Sequence, residues 1–283
     1  MLLDKGADSD KCDKDQSSPL MFACSNKCTD IVRMLLDSGA DCIKCDQDEK
    51  SPLMVACDEG YTEIVMMLLD SGADCNKCNQ DEKSPLMVAC DEGYTEIVRM
   101  LLDSGGRFNK CDQDEKSPLM VACDEGYTEI VKMLLDSGAD CNKCDQDEKS
   151  PLMVACDEGY TEIVRMLLDS GADFNKCDQD EKSPLMVACD EGYTEIVRML
   201  LDSGADCNKC DQDEKSPLMV ACDEGYTEIV RMLLDSGADC HKCDQDEKSP
   251  LMVACDEGYT EIVRMLLDSG ADCNKCDQDE KSP

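Results

Sequence analysis

Six Cys-x-x-Cys pairs punctuate the chain: Cys42/Cys45, Cys75/Cys78, Cys141/Cys144, Cys207/Cys210, Cys240/Cys243 and Cys273/Cys276. Closely spaced thiolates can hold zinc or cycle through a disulfide, so chemistry would come most readily from these residues. A structural zinc takes four ligands, and two neighbouring pairs would therefore have to converge. The segments around the pairs are dense in Asp, Asn and Lys and lack apolar periodicity, which predicts an extended, turn-containing connection. In extended chain, residues three apart face opposite ways and sit about 10 Å apart. A disulfide needs Cα atoms within about 7 Å. Packed helices of adjacent units lie roughly 8–10 Å apart, which also hinders closure of one tetrahedral site between neighbours. Phe108 and Phe174 replace the first cysteine in two further segments, as if the position simply wants something apolar. Reduced, partly buried thiols are the expectation, with a metal-binding or redox array as the alternative. A tight turn between the two cysteines would shift that balance.

The other chemistry-bearing residues give less. His241 is the only histidine and stands where most sister segments have asparagine, so it reads as drift rather than as a third metal ligand. No serine, cysteine or lysine has a histidine partner recurring with it, so nucleophilic catalysis lacks its base. Acid pairs such as Asp58-Glu59 recur without a pocket signal and read as solvated surface, and there is no phosphate-cradling glycine loop. Cys57 and its equivalents, like Met54 and Met67, fall at helical spacing and read as packing. The expectation is a protein that is not an enzyme, with no cofactor and no metal.

Composition narrows the partners. Acidic residues number 65 against 28 basic ones, a formal net charge of −37. A basic face that could neutralise nucleic-acid phosphates is excluded, and anionic membrane surfaces repel the chain. The longest apolar run, Ile64 to Leu69, is too short to span a bilayer. Residues 1–20 have no basic start followed by an apolar stretch, so no export signal is read. With 24 cysteines and no such signal, a cytoplasmic, reducing compartment is expected.

The elements that position these residues follow from a repeat. Proline falls at 19, 52, 85, 118, 151, 184, 217, 250 and 283, always 33 apart, and the sequence between prolines recurs almost letter for letter. Each unit reads as two short helices. Ser51 is a plausible N-cap and Pro52 sits at the first helical position. Leu53, Val55, Ala56 and Cys57 supply apolar surface, and Gly60 ends the helix in a left-handed conformation. A second helix starts near Thr62, carries Ile64, Val65, Met67, Leu68 and Leu69, and stops at Gly72. One such unit cannot bury its own apolar stripes, whereas stacking on identical neighbours can. The predicted fold class is an all-α repeat solenoid of stacked helix-turn-helix units with hairpin-like connections. A single array is expected over residues 1–283: a partial unit at 1–17, eight units at 18–281 and the start of another at 282–283.

The unit resembles the ankyrin repeat. Ser51-Pro52-Leu53-Met54 followed by Ala56 is similar to that family's threonine-proline-leucine-histidine motif. Gly60 matches its glycine between helices, Ile64-Val65 its isoleucine-valine pair, and Leu68 to Asp74 its leucine-leucine-x-x-glycine-alanine-aspartate run. The resemblance implies a concave face made by the inner helices and hairpin tips. Two departures stand out. Met54 replaces the histidine that pairs with the preceding hydroxyl. Glu49 and its equivalents replace a glycine of the hairpin turn, where a left-handed conformation costs a non-glycine residue roughly 1–2 kcal/mol. Tips looser or differently turned than the family's are therefore expected.

Met1 to Asp8 corresponds to Met67 to Asp74, mid-way through a second helix, and the chain stops at Pro283, so a fragment of a longer array is expected. The resemblance also locates partner contacts at the tip and at the end of the inner helix. Those positions are Gln47, Asp48, Lys50, Asp58, Glu59 and Ser71, with Gln113, Asp114, Lys116, Asp124, Glu125, Gln179, Asp180, Lys182, Asp190 and Glu191 in later units. They scarcely vary from unit to unit, which suits a periodic or extended basic protein segment held by multivalency. The expected function is a non-enzymatic, monomeric interaction scaffold with an acidic concave face. A Cys-x-x-Cys array and a passive spacer within a larger protein are the alternatives.

Overall fold

The structure, a computed structural model, describes residues 8–272. Residues 1–7, the Cys273/Cys276 pair and the expected further unit at residues 282–283 lie outside the described residues. The chain divides into two compact units, 1–140 and 141–283. The first holds α1 (Pro19–Ser25), α2 (Thr29–Asp37), α3 (Pro52–Asp58), α4 (Thr62–Asp70), α5 (Pro85–Asp91), α6 (Thr95–Asp103), α7 (Pro118–Asp124) and α8 (Thr128–Asp136). The second holds α9 (Pro151–Asp157), α10 (Thr161–Asp169), α11 (Pro184–Asp190), α12 (Thr194–Asp202), α13 (Pro217–Asp223), α14 (Thr227–Asp235), α15 (Pro250–Asp256) and α16 (Thr260–Asp268). All the regular structure among the described residues is helical, in serially packed pairs. This is the all-α repeat solenoid that the 33-residue period predicts.

Local chemistry sets each helix. The N–H of Met54 donates to Ser51 Oγ at 3.2 Å, and Pro52 supplies the first turn. The cap needs only the serine oxygen, so the methionine in the histidine position does not disturb it. The seven-residue helix then ends on Gly60, at φ 71°, with the N–H of Tyr61 reaching back to the Ala56 carbonyl at 3.0 Å. The second helix has no side-chain cap at Tyr61. Glu63 in its first turn complements the positive end of the helix dipole. Gly72, at φ 89°, closes it, and the N–H of Ala73 donates to the Leu68 carbonyl.

Within each unit the odd-numbered helices stack on one another, as do the even-numbered ones, and each pair is joined along its length. The core lies between the two layers. Leu53, Ala56, Cys57, Ile64, Val65 and Leu68 are completely buried, and their equivalents repeat the pattern except towards the ends, where Ile31 and Cys255 are exposed. Tyrosine locks one repeat to the last. A Cβ built on Gly60 would lie 2.6 Å from Cζ of Tyr94, so this glycine is needed for close approach as well as for its positive φ. Gly93 and Tyr127 repeat the arrangement in the first unit, and Gly192 and Tyr226 in the second. In the first repeat Lys27 takes the glycine's place at φ 55°, and its ammonium sits 5.2 Å from the centre of the Tyr61 ring.

The hairpin tips overturn one expectation. Glu49, Glu82, Glu115, Glu148, Glu181, Glu214 and Glu247 all adopt the left-handed conformation, with φ between 58° and 61°. The tips therefore keep the turn that a glycine would make. The compensation is local: Asp46 Oδ1 accepts from the N–H groups of Asp48 and Lys50 at 3.0 and 2.9 Å, and the Asp46 N–H donates to the Lys50 carbonyl. The same carboxylate bracket recurs at Asp13, Asp112, Asp145, Asp178, Asp211 and Asp244, and at the tip of Glu82 the Asn79 Oδ1 accepts from the Lys83 N–H.

Candidate functional site: an acidic face on the odd-numbered helices

In the first unit a cavity of about 210 Å³ opens between consecutive tips and the helices beside them. Lys50, Met54, Val55 and Asp58 line it from one repeat, with Asp81, Lys83 and Asp91 from the next. In the second unit a cavity of about 130 Å³ occupies the equivalent place beside Asp157, Lys182 and Asp190. Another, of about 390 Å³, runs over three consecutive repeats from Lys182 to Glu257. Methionine and valine form the floors, and aspartates with one lysine per repeat form the rims.

The nominated residues divide into three groups. Asp58, Asp124 and Asp190 reach the face together with Lys50, Lys116 and Lys182. Lys116 pairs with Asp124, and Lys182 with Asp190, each at 3.8 Å. These are half-exposed pairs, worth little individually. The exposed acids Asp48, Asp114 and Asp180 stand at the tips, and Glu59, Glu125 and Glu191 at the helix ends. Tyr61 Oη donates to Glu59 Oε2 at 3.4 Å.

The glutamines serve the array itself. The N–H of Gln80 donates to the Asp48 carbonyl, and its Nε2 to the Gln47 carbonyl at 2.6 Å. Gln113 bonds in the same way to Asp81 and Gln80, and Gln179 to Asp147 and Gln146. Ser71 lies elsewhere, at the end of α4, where its carbonyl accepts the thiol of Cys42 at 3.5 Å.

The Cys-x-x-Cys segments contain a turn. Asp74 Oδ1 accepts from the Asn76 N–H, and the Lys77 N–H reaches the Asp74 carbonyl, so the chain between Cys75 and Cys78 is bent rather than extended. The turn does not gather ligands, because the two thiols have separate partners. Cys75 donates across the repeat boundary to the Ser104 carbonyl at 3.4 Å, and Cys78 to the Asn76 carbonyl at 3.6 Å. Among the described residues no group of three or more His, Cys, Asp or Glu side chains is arranged around a metal position. No disulfide joins the described cysteines.

Burial raises the thiol pKa of Cys75 and Cys78. At Cys78 the Lys110 ammonium opposes that rise. On the inner helices burial pushes Cys24 and Cys222 up to about 12 and moves Cys57, Cys90 and Cys123 in the same direction. These are inert core thiols.

The residue between the cysteines was not singled out by its type. Asn76 Nδ2 donates to the Gly105 carbonyl, and its Oδ1 accepts the Arg107 N–H at 2.8 Å, which fastens one repeat to the next. Asn142, Asn175 and Asn208 accept from Asp173, Asp206 and Asp239 in the same way. The signal available was its recurrence beside a two-residue aspartate turn. Ile43 and His241 replace the asparagine in two repeats, and Asp10 replaces it in the first, where its Oδ1 accepts the Asp41 N–H at 2.8 Å.

A family model described as ankyrin repeats, in three copies, matches residues 1–78, 68–145, 137–211 and 203–277. The chain belongs to the ankyrin-repeat family. No curated protein matches it. Ankyrin repeats are generally protein–protein interaction modules. The acidic face of this ankyrin array is built from the odd-numbered helices and the tips. Among the described residues no helix is long and apolar enough to cross a membrane.

Proposed function

We propose that the ankyrin array is a non-enzymatic scaffold whose acidic odd-helix faces bind basic, extended segments of other proteins in a reducing, cytoplasmic setting. The chain acts as a monomer. The observation that carries this reading is the lining of the large cavity in the second unit, where eight carboxylates stand against three lysines. Asp48, Asp58, Glu59 and their equivalents attract the partner. Lys116 and Lys182 are swing residues that release Asp124 and Asp190 when a partner cation arrives, and Lys50 stands at the equivalent place. Gln47, Gln113 and Gln179 take a lesser part because the tip ladder already uses them. Steering by such a face is long-ranged at low ionic strength and fades as salt is added.

The test is binding of lysine-rich and glutamate-rich peptides of equal length to the full chain under reducing conditions. The lysine-rich peptide binds, more weakly as salt rises, and the glutamate-rich peptide does not. Equal binding of both peptides, or of neither, would remove the proposal.

A further inference from the structure

We infer that each repeat of the acidic face seats one basic side chain, so that the partner is a polyproline II segment with lysine or arginine at every third position. This rests on the reading that the face binds basic segments and adds the spacing.

The charge count supplies the stoichiometry. In the three-repeat cavity, Asp211 and Asp244 each commit Oδ1 to two backbone N–H groups of their tips. Asp213 at the tip and Asp223 at the helix end remain exposed, and Lys215 is the only cation of that repeat in the lining. The next repeat offers Asp246 and Asp256 against Lys248. Once the turn aspartates are set aside, the repeat of Lys215 keeps one surplus negative charge facing the cavity and that of Lys248, which adds Glu257, keeps two, while Lys182 and Asp190 balance at the edge of the lining. One incoming ammonium or guanidinium per repeat neutralises the first surplus and halves the second.

The floor suits the stem of such a side chain. Met219 and Val220 lie beneath the aspartates of this repeat. A lysine or arginine lays its alkyl chain along apolar surface while the charged end stays near water and carboxylate. Methionine is flexible enough to adapt to either.

The spacing follows from the stack. Neighbouring inner helices are roughly 10 Å apart. Polyproline II has three residues per turn and rises about 3.1 Å per residue, so every third side chain points the same way, about 9 Å along. A β-strand returns to the same face every second residue, about 6.6 Å apart, or every fourth, about 13 Å, and neither matches. Polyproline II has no internal hydrogen bonds and needs no sheet edge.

The experiment compares proline- and serine-based peptides of equal length and equal lysine number. Lysine stands at every second, third or fourth position, or in one block. Fluorescence anisotropy measures binding to the full chain under reducing conditions at about 0.1 M salt. The every-third peptide binds at least about tenfold more tightly than the others, because only it engages successive repeats at once. Equal affinity for all four peptides overturns the spacing and leaves the acidic-face reading standing. Absence of binding by any peptide overturns both. A variant combining D213N, D223N, D246N and D256N, checked for unchanged helicity by circular dichroism, loses the every-third preference. Retention of that preference shows that the cavity is not the seat and overturns the inference.

Discussion

Asp112 is almost wholly buried at its tip, yet it makes the turn possible. One carboxylate oxygen accepts from both the Asp114 and Lys116 N–H groups, at 3.0 and 2.9 Å, while Glu115 holds a left-handed φ of 58°. Replacement by alanine strands two backbone donors and is expected to cost about 1–3 kcal/mol. Asparagine keeps the accepting oxygen, and the chain already uses it: Asn79 Oδ1 accepts from Lys83 N–H at 2.9 Å. D112N is therefore expected to unfold within about 0.5 kcal/mol of the parent in urea, with D112A well below both. Equal losses for the two variants would show that the charge, and not the acceptor geometry, holds the tip. The glutamate in the glycine position misled the sequence reading for this reason. Its own type argues against a left-handed turn, and the remedy sits three residues earlier in a different side chain. The fastening role of Asn76 was hidden in another way, since its partners Gly105 and Arg107 lie about one period further on.

Helix boundaries were far more legible, because the signals that set them are local. Serine before proline, glycine after the last apolar residue and apolar positions three and four apart each act within one turn of chain. The structure starts α3 at Pro52 and α4 at Thr62 accordingly. Sequence could not tell which polar residues of the tip face outward and which face the next tip. Gln113 and Asp114 are neighbours of similar polarity, and only stacking sends the Gln113 amide to the Gln80 carbonyl. The inner helices also carry a pH dependence. Burial raises the pKa of Cys24, Cys90, Cys123 and Cys222 from the ordinary value of 9.0. Between pH 9 and about 12 the unfolded chain sheds thiol protons that the folded chain retains, so it binds fewer protons and stability falls as pH rises. The slope reaches up to about 1.4 kcal/mol per pH unit for each such thiol. Urea midpoints measured from pH 8 to 10 in reductant should decline, and Cys→Ala replacements on the inner helices should flatten the decline. A parent midpoint that holds steady over this range would contradict the buried thiols.

At the scale of the whole molecule, charge dominates. A net charge of −37 is spread over repeats whose spacing is close to the screening length of about 10 Å at 0.1 M salt. Surface ion pairs among the described residues are exposed, such as Lys77 with Glu49 at 2.6 Å and Arg165 with Glu162 at 2.5 Å, and each offsets little of the repulsion. Raising monovalent salt from about 10 mM to about 200 mM is therefore expected to raise the melting temperature. A flat or falling curve would mean that the like charges do not oppose the stack.

Tyr94 against Gly60 and Tyr127 against Gly93 are the same joint made twice. Joints that cannot be told apart allow whole segments to be removed without leaving a scar. Excision of residues 84–116 brings Lys83 directly before Ser117, the same dipeptide that Lys116 and Ser117 form now, and offers Tyr127 the surface of Gly60. The shortened chain should fold with its remaining pairs unchanged and lose helical signal in proportion to its length. Removal of half a period, such as residues 84–99, would sever a helix pair and should not. The length of the molecule is thus adjustable in steps of one period, with no new interface to invent at any step.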